Sequence, residues 1–186
     1  MEAIKKIELN KITKIIFISV LGTVLLTISS KIKIPFYPVP MTMQTFVILF
    51  LGITLGAKVG LFTVGLYLIE GICGLPVFAG TPEKGIGFLY FTGPTMGYLL
   101  GFLLAVYISG SFKYENNLIK NFIKLVFSLS FIYLLGIIWL GYLIGWEKPI
   151  FKLGAQPFLL AELFKILLLL FLIPNLIKLK KLIKIT

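Results

Sequence analysis

The sequence contains no histidine, and reading along it finds no aspartate and no arginine. Without histidine and aspartate there is no Ser-His-Asp or Cys-His arrangement, no HExxH zinc site and no aspartate-based magnesium site. Most hydrolytic and phosphoryl-transfer chemistry therefore lacks its parts, and an enzyme is not expected. Cys73 is the only cysteine, which excludes an intrachain disulfide and a thiolate-rich metal site. The lack of arginine removes the usual residue for base readout and for bidentate phosphate clamps, although the net charge is +11. The lysines cluster at the ends of apolar segments and form no basic stripe, so nucleic acid is not expected as a partner. There is no GxxxxGK[ST] stretch, so nothing here should bind or cleave ATP.

Charge of any kind is scarce. Of 186 residues, 13% are charged and 59% are hydrophobic, far from the balance a water-soluble domain needs to cover its surface. Apolar residues also occupy all sides of the long segments, where a soluble domain would show amphipathic periodicity. The expected fold is therefore all-α: a polytopic membrane protein, one domain over residues 1–186, built as a six-helix transmembrane bundle. The expected spans are about 12–29, 42–55, 59–72, 93–109, 121–144 and 157–179. The first is read as an uncleaved span because "ISSK" offers no small-x-small cleavage signature. The second and third come from one long apolar run interrupted at "LGAKVG" (55–60) by two glycines around Lys58. Each is shorter than the roughly 20 residues that cross a bilayer alone, so both must pack against longer neighbours. Pro157 is tolerable in a first helical turn, whereas Pro174 should kink or end the last helix.

An even number of spans puts both ends on one side, and lysine placement chooses which. Lys5, Lys6, Lys11, Lys14, Lys58, Lys113, Lys120, Lys124, Lys178, Lys180, Lys181 and Lys184 share the side of the termini. Only Lys31, Lys33, Lys84, Lys148 and Lys152 lie opposite, so the positive-inside rule places both termini in the cytoplasm.

Two outward loops do not resemble simple connectors. "KIKIPFYPVPMTMQ" (31–44) carries Pro35, Pro38 and Pro40, which stiffen it; it is either a rigid tether or a lid over an outward cavity. Residues 75–93 hold Phe78, Phe88, Tyr90 and Phe91 among glycines and prolines, too aromatic for disorder and too broken for a span. This segment should fold back into protein at membrane depth.

The last span holds Glu162 and Lys165, whose i, i+3 spacing puts them on one helical face pointing into the bundle. Ionisable groups at that depth either clip helices together as a salt bridge or line a substrate path. Glu70, at the end of the third span, is expected to meet the headgroups. Trp139, Tyr142 and Trp146 form either an interfacial aromatic belt or a stacking wall for a ligand. Ser19, Thr23 and Thr27 make a small polar face on the first span that serves packing within the bundle or contact with a partner protein.

Five stretches in series, "IPFYPVPMTMQTF", "YLIEGICGLPVFAG", "GPTMGYLLGF", "YLLGIIWL" and "GAQPFLLAELFK", together resemble the BioY family. These are the biotin-specific membrane subunits of energy-coupling factor (ECF) transporters. The resemblance covers about residues 32–170. It implies a substrate-capture subunit with an outward site under the first and third outward loops, and no cofactor, biotin being the transported ligand. It further implies a membrane scaffold subunit and two cytoplasmic ATPases as partners, in a bacterial-type cytoplasmic membrane. The family's last-helix motif falls on Pro157, Phe158, Glu162 and Lys165, with glutamate where the family usually has aspartate. Gln44, Phe78, Tyr98 and Trp139, inside the other stretches, are the further candidate ligand contacts. The family's helix contact with the scaffold falls on Ser19, Thr23 and Thr27. "GTPEKGIG" (80–87) departs from the family's glycine-rich pattern, so no amide ligand is carried over. Lys165 suits the biotin carboxylate and Glu162 the ureido N–H pair. A capture subunit for thiamin or riboflavin, an intramembrane enzyme with Glu162 as base, and a structural subunit are the remaining alternatives.

Overall fold

The computed structural model describes residues 2–34, 37–83 and 85–183; Pro35, Lys84 and Lys184, named above, lie outside the described residues. Among the described residues the chain forms six α-helices: α1 Glu2–Lys31, α2 Gln44–Ile72, α3 Met96–Ser111, α4 Leu118–Ile144, α5 Ile150–Gly154 and α6 Leu159–Ile183. Two-residue strands β1 (Lys33–Ile34) and β2 (Met41–Thr42) pair antiparallel after α1, and 3₁₀ turns occupy Gly87–Thr92 and Gln156–Phe158.

α2 is the centre of the bundle and is two helices, not one. Gly56 has φ 77° and ψ 174°, a conformation essentially reserved for glycine, and it breaks the helix inside "LGAKVG" as the sequence suggests. The halves fold back on each other. Gln44 Nε2 donates to the Tyr67 hydroxyl at 2.8 Å, whereas 23 residues of unbroken helix would hold them about 34 Å apart. A Cβ at Gly60 would likewise lie 3.7 Å from Gly52 Cα. The hairpin is enclosed by longer neighbours: 72% of its apolar window is buried, against 28% in Lys11–Lys31 and 33% in α4. At the turn a Cβ on Gly110 would collide with the backbone of Gly56 and Ala57, so the end of α3 seats directly on it.

The bundle is apolar on its outside as well as in its core. Phe17, Val24 and Ile28 on α1, Ile123 and Phe127 on α4, and Leu160, Phe164 and Phe171 on α6 are exposed. Among the described residues α1, α4 and α6 are each long and apolar enough to cross a membrane, whereas α3 and the two halves of α2 are shorter. Bands of this kind are what hydrocarbon chains would cover.

Helix ends differ from the sequence reading for local reasons. α1 begins well before residue 12, because the edge of an apolar run is not the end of a helix. α4 starts at Leu118 because Asn117 caps it, its side chain accepting from the Lys120 N–H at 2.9 Å. α3 starts at Met96 instead of 93, since Gly93 is extended. α6 runs through Pro174 to Ile183, so that proline does not end it.

The small polar face of α1 is turned inward. Ser19 and Thr23 are 0% and 2% exposed, and Ser19 accepts from Thr63 at 3.0 Å. Thr27 donates to the Thr23 carbonyl of its own helix. Ser19 and Thr23 therefore close the α1–α2 interface, while Thr27 is half-buried. Glu70 is half-buried and accepts from Thr23 at 2.9 Å, so it joins the same interface and does not simply meet headgroups. Because only glycine holds the hairpin turn without strain, Gly56→Val should lower stability in detergent by about 1–3 kcal/mol, measured by thermal unfolding.

Candidate functional site

The cavity lies at the end of the bundle where α1 finishes, both ends of α2 meet, and α3 and α6 begin. It is a small pocket of about 50 Å³ with an open mouth and a mostly apolar lining. Val39, Pro40 and Met41 of the loop before α2 and Ala79 and Tyr90 of the segment between α2 and α3 close over it, so both act as covers. Leu99, Phe102, Ile132 and Phe158 make the apolar wall, and Thr42, Gln44, Thr45, Thr95, Tyr98 and Tyr133 bring polar atoms to it.

Glu162 and Lys165 sit behind this wall, 4% and 7% exposed, and bond to each other at 2.8 Å. They do not merely pair. Lys165 Nζ also donates to the Thr42 carbonyl at 2.7 Å and to Thr45 Oγ1 at 2.9 Å, which uses its three N–H groups. The Thr45 hydroxyl in turn donates to Glu162, 2.9 Å from both carboxylate oxygens, and the Tyr133 hydroxyl donates to Oε1 at 3.1 Å. Among the described residues no buried side-chain nitrogen or oxygen lacks a partner. The network is held by three helices: α6 supplies the ions, α4 the phenol, and the first turn of α2 the threonine. Thr45 and Tyr133 are thus both wall and ligand to the pair, and they carry its electrostatics to the cavity.

The sequence candidates divide. Gln44 and Tyr98 line the cavity. Gln44 is fixed by Tyr67 and by the Thr42 hydroxyl, which donates to its Oε1 at 3.1 Å; Tyr98 donates to the Gly154 carbonyl at 2.8 Å over the bare surface of Gly136. Phe78 is one layer back, stacked at 4.8 Å on Tyr90 and edge-on to Tyr67. Trp139 is not brought to the cavity. It stands about two turns beyond Ile132 on α4, where its indole N–H donates to Gly93 O at 2.9 Å and its ring faces Ile72, Phe88 and Met96. That position suits the aromatic-belt reading. Thr45 and Tyr133 were missed; the signal available was a hydroxyl next to Gln44 and a tyrosine deep in an apolar helix.

In the cover, the Tyr90 hydroxyl donates to Ala79 O at 2.8 Å, and burial holds its pKa above the ordinary phenol value, so it remains a donor.

The family model described as the BioY family matches residues 3–182. The chain belongs to the BioY family. It is 33% identical to the probable biotin transporter BioY of Pyrococcus horikoshii, covering 76% of this chain and 82% of that one. It is 34% identical to the biotin transporter BioY of Thermotoga maritima, covering 77% and 84%. The crystal structure of an S-component for biotin from an ECF-type ABC transporter matches with a TM-score of 0.75 at 26% identity, covering 91% of this chain and 93% of that one. The BioY bundle, all-α and spanning the membrane, is therefore the architecture of this chain.

Removing one ion of a buried pair strands the other. Lys165→Met should destabilise the bundle by roughly 3–5 kcal/mol, and the double change Glu162→Gln with Lys165→Met should be closer to wild type, measured by thermal unfolding in one detergent.

Proposed function

We propose that this chain is the biotin-capture subunit of an ECF-type uptake transporter, its cavity open to the outer face of a bacterial-type cytoplasmic membrane and both termini in the cytoplasm. The observation that carries the reading is the buried acid–lysine pair whose bonds run through two hydroxyls of a cavity wall, in a chain of the BioY family. A pair serving only as a helix clip has no need to share its bonds with a cavity surface.

Biotin offers a ureido group with two N–H donors and one carbonyl acceptor, an apolar ring and chain, and a carboxylate. In the arrangement we favour, the ureido end meets Thr45 and Tyr133 with Glu162 behind them, so that each ligand N–H finds an oxygen. Gln44 and Tyr98 complete the polar wall. The ring and chain lie along Leu99, Phe102 and Ile132, and the carboxylate points to the mouth. Lys165, already bonded three ways, acts through Thr45 and Glu162 by holding both in place; this indirect role replaces the direct contact with the biotin carboxylate expected for Lys165. Phe78 supports the wall from behind Tyr90.

The partners are a membrane scaffold subunit and two cytoplasmic ATPases that drive inward release, since binding alone does no work on the gradient. The scaffold would meet α1 on a face other than Ser19 and Thr23.

The experiment is a biotin titration of the purified chain. Tight binding is expected for wild type, with Thr45→Val and Tyr133→Phe each weakening it by about 10-fold, the value of one hydrogen bond to a charged network. Micromolar or weaker wild-type binding, equally strong for thiamin or riboflavin and indifferent to Lys165→Met, would overturn the proposal.

A further inference from the structure

Residues 75–83 form neither helix nor strand, yet Val77, Phe78 and Ala79 are 7%, 1% and 4% exposed. Backbone carbonyls in such a segment need donors. Most of these donors are side chains. Val77 O accepts from Ser30 and Tyr67, at 2.7 and 2.9 Å, and Ala79 O from Tyr90. Three further carbonyls converge on one ammonium: Lys31 Nζ lies 2.8 Å from Pro76 O, 2.9 Å from Phe78 O and 3.3 Å from Thr81 O, with Thr81 Oγ1 at 3.1 Å.

We propose that Lys31 is the positioning residue that fastens the 75–83 cover over the cavity, a role that rests on the reading of this cavity as the capture site. Three carbonyl dipoles aimed at one point repel each other without a cation between them, so the ammonium decides whether the segment keeps this shape. Its effect reaches the ligand space in two ways. Ala79 lines the cavity, and Phe78 backs Tyr90. The other fasteners are shut away, with Ser30 and Tyr67 0% and Tyr90 4% exposed, while Lys31 is exposed at the end of α1. Water can compete for Lys31 alone among them, so opening begins at this bond. The cover is also tied to the cavity wall, because the Tyr67 hydroxyl that donates to Val77 O accepts from Gln44 Nε2.

Lys31 touches no cavity surface, so Lys31→Met in the full-length purified chain separates closing from contact. Two readouts are taken: deuterium exchange of amides 77–83 without biotin, and biotin association and dissociation rates. Exchange in 77–83 should rise about tenfold with α3 and α4 unchanged, and the biotin off-rate should rise about tenfold with a smaller change in Kd, because a loose cover also admits ligand faster. Lys31→Arg, which keeps a charged donor on a long stem, should exchange and release slowly like wild type. Wild-type exchange and rates in Lys31→Met, a rise spread over the whole bundle, or Lys31→Arg behaving as Lys31→Met would each overturn the proposal. A wild-type chain that fails to bind biotin would overturn the capture reading, and local exchange would still decide the fastening role of Lys31.

Discussion

A carboxylate and an ammonium enclosed in a bundle that faces hydrocarbon must find every hydrogen bond inside the protein. Meeting that requirement for Glu162 and Lys165 organises this end of the molecule. The ammonium needs a backbone carbonyl and a hydroxyl, and both come from the chain entering α2, Thr42 and Thr45. The carboxylate needs a second donor, and α4 supplies Tyr133. Three helices are therefore set in register by bonds to two side chains. α2 must begin at this depth, and its first half, ending at Gly56, is about half the length of its neighbours before the chain turns back.

The same accounting explains the covers. Irregular backbone that is buried is tolerated only when its polar groups are answered within the protein. Side chains from α1, α2 and the 3₁₀ turn at Gly87–Thr92 answer the carbonyls of 75–83, and the short β1–β2 ladder answers part of the first loop. Cavity, covers and ion pair form one bonded system: Thr42 bonds Gln44, Gln44 bonds Tyr67, Tyr67 bonds Val77, and Thr42 also receives Lys165. Occupying the cavity therefore acts on groups that also hold it shut.

Much of this was legible in the chain. The apolar composition set the solvent, "LGAKVG" marked the hairpin because glycine tolerates the backbone required there, and the isolated acid and lysine marked the candidate site because their burial is costly. Gln44 and Tyr98 came through the resemblance and lie on the cavity. What was hidden depended on rotation and depth. Thr45 and Tyr133 are ordinary residues until three helices converge, and no spacing along one helix reports that. Trp139 shares a stripe with Ile132 but stands about two turns higher, which a sequence cannot show. Ser19 and Thr23 offered a small face without saying whether it turned inward, and Glu70 settled the matter by bonding Thr23.

The account depends on the ion pair reaching a ligand through the hydroxyls of Thr45 and Tyr133. Determining the structure of the chain with biotin bound tests this directly. The account predicts the ureido group within hydrogen-bond distance of at least one of these hydroxyls, with Glu162 and Lys165 still bonded to each other. Biotin held elsewhere, with the Thr45–Glu162–Lys165–Tyr133 bonds unchanged and no contact to either hydroxyl, would contradict it.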